Sequence, residues 1–61
     1  MYIKIEKRWN KISRCWEWGW LLFRNNGVVI ARSDNYKTRA GVNRVAQCIA
    51  KELAISYLGQ L

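Results

Sequence analysis

The chain contains no histidine and no proline, and only four carboxylates, Glu6, Glu17, Asp34 and Glu52. Without histidine, neither the zinc-finger spacings nor a cysteine–histidine nucleophile pair can be assembled, and the two cysteines, Cys15 and Cys48, close at most one bridge. General acid–base catalysis needs paired titratable groups in a cleft, which four scattered carboxylates supply poorly. Gly19, Gly27, Gly41 and Gly59 stand singly, so there is no glycine-rich phosphate loop. No apolar run reaches the ~20 residues of a membrane span, and none follows the first charges as in a secretory leader. These absences set the expectations: a non-enzymatic protein with no metal, no cofactor and no membrane partner, acting in the cytoplasm. Both cysteines are then reduced and sit as small apolar residues in or near a core.

What is abundant is aromatic rings and positive charge. Four tryptophans, three tyrosines and one phenylalanine occur among 61 residues, and eleven Lys and Arg against four acids leave a formal charge of +7. A single domain of this length buries only ~60% of the surface that its unfolded chain exposes. With metal and multiple disulfides set aside, dense packing and oligomerisation remain as sources of stability. The charge favours polyanions or acidic protein surfaces through long-range attraction and says nothing of the fold.

The pattern along the chain predicts an α+β domain. Ile3, Ile5, Lys7 and Trp9 alternate with Tyr2, Lys4, Glu6 and Arg8, the period of a strand with one buried face. Asn10 to Arg14 reads as a loop, and Cys15 to Arg24 as a second strand with large apolar residues on both faces. Asn25-Asn26-Gly27 signals a hairpin of the type I′ kind into a third strand, Val28 to Ser33. Thr38 is placed to cap a helix. Behind it Val42, Val45, Ala46, Ile49, Ala50 and Leu53 form an apolar stripe, opposite Arg39, Asn43, Arg44, Gln47 and Lys51. The expected architecture is a three-stranded antiparallel sheet with one amphipathic helix packed on one face. Ala54 to Leu58 either prolongs the helix or forms a short fourth strand.

The run Trp20-x-Leu22, Asn26-Gly27, Val29-Ile30-Ala31-x-Ser33, Tyr36 and Ala40-Gly41 resembles the YegP-like domain of unknown function, over roughly Trp18 to Leu53. The resemblance implies that residues 1–61 form one β3-αβ unit. It further implies a homodimer in which units join one sheet and exchange C-terminal strands, with Ile55, Tyr57 and Leu58 at the dimer contact. An apolar tail and a small sheet with open edges agree with such pairing. The chain departs from the family at Leu21, Phe23 and Val28, where members tend to be polar or charged. These three residues either meet a dimer partner or the Asn10–Arg14 loop, or they form an exposed protein-interaction patch.

Two functions compete. In the favoured one, the chain is a protein–protein module whose Leu21, Phe23 and Val28 anchor a partner within a basic rim. A phage or mobile-element inhibitor of a host defence complex, acting in the host cytoplasm, would suit that chemistry. In the other, Lys4, Lys7, Arg8, Lys11, Arg14, Trp16, Trp18, Arg24 and Arg32 form a basic and aromatic surface for nucleic acid. Membrane binding through Arg39, Arg44 and Lys51 is weaker, because the helical stripe is needed to cover the sheet.

Overall fold

A computed structural model describes residues 1–61, in the order β1 (Tyr2–Asn10), β2 (Cys15–Phe23), β3 (Val29–Arg32), α1 (Arg39–Leu53) and β4 (Ser56–Gln60). The strands form one open mixed sheet in the order β3-β2-β1-β4, with α1 on one face. No helix is long and apolar enough to cross a membrane. The predicted antiparallel strands and amphipathic helix are present, and the undecided tail is a strand.

The register settles which face of β2 is buried. Ile3 lies opposite Leu22, Ile5 opposite Trp20, Lys7 opposite Trp18 and Trp9 opposite Trp16, and residues paired across strands share a face. The helix therefore covers the side bearing Leu22, Trp20 and Trp18, and Gly19, Leu21 and Phe23 point away from it. Ile3, Ile5, Val42, Ala46 and Ala50 form the core, the first four of them fully buried. Val42, Ala46 and Ala50 recur every four residues on one helical stripe. Burying a side chain the size of Ile3 or Ile5 contributes about 1.5–3 kcal/mol, a large share of the stability of so small a domain.

The helix starts where Thr38, in extended conformation, accepts the Gly41 N–H on its Oγ1 at 3.0 Å. It ends at Ala54, whose φ of 54° is left-handed. The Ile55 N–H reaches back to the Ala50 carbonyl at 2.9 Å and the Ala54 N–H to that of Lys51 at 3.3 Å, a Schellman closure with alanine where glycine is usual. That reversal turns the chain into β4, which runs parallel to β1 of the same chain with Tyr57 opposite Ile3 and Gln60 opposite Ile5. The intervening bulge is accommodated by Gly59 at a φ of +80°.

Two expectations need correction. The β2–β3 hairpin forms, but not through a type I′ turn. The Gly27 N–H bonds to the Arg24 carbonyl and the Arg24 N–H to that of Val28, and only Gly27 has a positive φ in this turn. This is the three-residue loop in which a type I turn is followed by a left-handed glycine. The cysteines are free, but, expected in or near a core, both are exposed. Cys48 lies two residues from Ala46, about 200° around the helix from the buried stripe, and Cys15 opens β2 at the hairpin tip.

Candidate functional site

The β1–β2 hairpin runs on past the part that the helix covers. Trp18 and Trp20 pack against the core, but Trp9 and Trp16 do not and are 51% and 54% exposed. They face each other across the hairpin edge to face, their ring centroids 5.4 Å apart. The Lys7 ammonium lies 5.1 Å from the Trp16 ring centroid, and the Arg39 guanidinium lies 6.0 Å from that of Trp18. Cations at these distances are attracted to the negative ring face. At the tip, Asn10 Oδ1 accepts the N–H groups of Ile12 and Ser13, Arg14 adopts a left-handed φ of 54°, and Ile12 is 96% exposed. Lys11 and Arg14 flank it, both exposed.

Charge is sorted between the two sides of this hairpin. By the alternation of β1 and β2, Lys7, Trp9, Trp16 and Trp18 share one face and Glu6, Arg8 and Glu17 the other. The ring-bearing face thus receives no carboxylate from either strand. On the opposite face Arg8 lies across Gly19, donating from Nε to Glu6 at 3.0 Å and from Nη1 to the Ser33 carbonyl at 2.8 Å and to Asn35 Oδ1 at 3.1 Å. A Cβ at position 19 would collide with that guanidinium. Glu17, 8% exposed, accepts from the Asn10 and Asn35 carboxamides at 2.7 and 2.9 Å. The Asn10 hydrogen bond foremost, helped by Asn35, nearby Lys37 and the Cys15 thiol, holds its carboxyl below the usual value near 4.5 against the opposing effect of desolvation.

The residues predicted as one basic and aromatic surface therefore divide. Lys7, Trp16 and Trp18 come together, with Lys11 and Arg14 at the tip. Lys4, Arg8 and Arg32 lie on the far side, where Arg8 is engaged, and Arg24 sits at the β2–β3 turn. Trp9 and Ile12 belong to the arm and escaped prediction as site residues, while Arg39, read from the sequence only as a membrane-binding candidate, opens α1 beside Trp18. Trp9 could have been found from its place in the β1 alternation, two residues beyond Lys7 on the face of Ile3 and Ile5. The proximity of Arg39 to Trp18 depends on how the helix returns over the sheet and leaves no local signal.

The predicted patch of Leu21, Phe23 and Val28 is corrected in part. Leu21 is only 5% exposed. It stands between Lys4 and Arg32 on the neighbouring strands, and long basic side chains cover apolar neighbours with their methylene stems. Phe23 stacks on Tyr2 with ring centroids 4.9 Å apart. Val28 is exposed, and with Val29 and Ile30 it makes an apolar run along the β3 edge, which the helix does not cover. Of the tail residues, Ile55 and Tyr57 pack against the core of their own chain, and Leu58 is 53% exposed on the outer edge. Tyr57 donates its hydroxyl hydrogen bond to Asn43 on the helix. No pocket indents the surface, so the candidate site is an exposed arm. Comparison with protein-family models, with curated proteins and with solved structures yields no match.

Proposed function

We propose that the chain is a small non-enzymatic nucleic-acid-binding module whose recognition surface is the arm bearing Trp9 and Trp16. The observation that carries this reading is the half-exposed indole pair beyond the helix, with Lys7 against one ring, on a face to which β1 and β2 bring no carboxylate. Exposed rings offer stacking surface to bases, and adjacent cations neutralise phosphates. Each phosphate contact releases counterions, so affinity for a labelled oligonucleotide should fall steeply as salt rises. Affinity that does not change with salt, or no binding at low salt, would overturn the reading.

A second reading rests on the β3 edge. Val28, Val29 and Ile30 are 54%, 37% and 41% exposed, and an uncovered apolar edge strand is a surface on which another protein can dock. The inhibitor of a host complex, encoded by a phage or mobile element, belongs to this reading and replaces the Leu21-centred patch with the edge itself. Ile30→Lys should abolish capture of such a protein and leave oligonucleotide binding intact; the reverse pattern would remove the edge from consideration.

The YegP-like assignment and the dimer stand as proposals beside these. The order of three strands, helix and strand supports the first. For the second, the chain connects α1 to β4 through Ala54 and Ile55 alone, so a partner's β4 can supply the same hydrogen bonds to β1 if that link straightens, the low-cost route of strand exchange. Removing residues 55–61 should leave monomer or unfolded chain by light scattering; a stable dimer without them sinks the exchange. Action in the cytoplasm fits the free, exposed thiols.

A further inference from the structure

We propose that the arm takes single-stranded nucleic acid in preference to duplex and reads it with little regard to sequence; this rests on the nucleic-acid reading above. Three features of the arm lead there. The first is ring exposure. Trp9 and Trp16 are 51% and 54% exposed, whereas Trp18, the next same-face residue of β2, packs against the core. An unpaired strand can turn its bases onto the two open rings. In a duplex the base faces are covered by their neighbours, and the rings have nothing to stack on.

The second feature is the row of cations beside these rings, Lys7 at Trp16 and Arg39 over the inner Trp18, with Lys11 and Arg14 further along at the tip. A backbone carrying one charge per nucleotide is matched by that row. The third feature is that β1 and β2 bring no carboxamide or carboxylate to this face to read base edges. Sequence is read by carboxamides, carboxylates and guanidinium forks aimed at donors and acceptors in a groove. The carboxamide at the end of β1, Asn10, is committed at both ends, its Nδ2 to Glu17 and its Oδ1 to the turn, and of the two guanidiniums Arg39 lies over the Trp18 ring while Arg14 stands apart at the tip. What the arm presents is indole surface, which every base can stack on.

The test uses the full chain and three fluorescein-labelled probes: a twelve-nucleotide oligothymidylate, a mixed-sequence strand of that length, and its duplex. Anisotropy titrations should give the two single strands affinities within a few-fold of each other and the duplex at least about tenfold weaker, with Trp16→Ala costing about tenfold on the single strands. The logarithmic salt slope should lie between about −1.4 for two phosphate contacts and about −2.8 for four, and Lys7→Gln should lower it by about 0.7. Should Trp16→Ala fail to fold, the wild-type tryptophan fluorescence decides: quenching by oligothymidylate is expected, and binding without quenching overturns the proposal. A duplex bound as tightly as the single strand overturns it too, most directly if Ile12→Ser then abolishes binding, since that would make Ile12 an apolar wedge between base steps. Failure to bind any of the three probes overturns the nucleic-acid function itself, which separates the two ideas.

Discussion

The two halves of the β1–β2 hairpin follow one alternation, on one side of one sheet, and end in opposite conditions. Ile3 and Ile5 are fully buried; Trp9, four residues beyond Ile5 in the same phase, is half exposed. The cause is reach. A nine-residue strand extends about 30 Å, which accounts for the 34 Å long axis of the molecule, whereas the 15-residue helix is about 22 Å long. It also has to cross from the β3 side of the sheet to deliver β4 to the far edge. Where it passes, apolar side chains become core, and where it does not, the same kind of side chain becomes surface with rings free to meet a ligand.

The largest effect that would break this comparison lies under the helix. Ile5→Ala should cost about 2–5 kcal/mol in urea unfolding, enough to unfold much of the population of a domain this small. Trp16→Ala, removing a larger side chain from the bare half, should cost well under that, and equal losses at both positions would mean that the arm is packed in solution. Next in size is the polar clamp on the opposite face. Arg8→Ala should cost about 1.5–3 kcal/mol, because three charge-assisted hydrogen bonds to Glu6, Ser33 and Asn35 are lost. Gly19→Ala should cost less than that, because it displaces only the far end of the Arg8 side chain, which can shift. Combined, the two should be clearly less than additive, as one interaction cannot be lost twice.

A smaller effect of opposite sign is expected at the helix end. Ala54→Gly relieves a left-handed alanine and should stabilise by about 1 kcal/mol. The smallest concerns pH. The carboxyl of Glu17 is held below its usual value near 4.5 in the folded chain, so the unfolded chain takes up its proton first as pH falls. The stability it contributes is therefore present above about pH 4.5 and is lost as pH drops through the folded value. Thermal unfolding of wild type and Glu17→Gln between pH 7 and pH 3 checks this: the wild type should lose more over the acid limb, and parallel profiles would contradict it.

Much of the fold was legible because local patterns carry it. Strict alternation from Tyr2 to Trp9, the Asn-Gly pair and Thr38 ahead of an apolar stripe each mark an element through its own backbone chemistry, whereas the tail was open between helix and strand and its strand runs on through Gly59. The candidate site was half legible. Lys7, Trp16 and Trp18 share one face, whereas Lys4, Arg8 and Arg32, read from the sequence as part of the same surface, occupy the other. The alternation of β1 alone separates Lys4 and Arg8 from Lys7; what period two does not supply is how the faces of β1 relate to those of β2 and β3, which register decides.

What the sequence determined on its own is the kind and order of most elements, the positive charge and the surplus of rings, since these depend on each residue and its near neighbours. The tertiary structure alone decided that Leu21 is buried, that Cys15 and Cys48 are exposed, that β4 closes on β1, and that Trp9 joins Trp16 beyond the helix. Each of these depends on the register between β1 and β2 and on where α1 stops covering the sheet, distances set by packing between segments far apart in the chain.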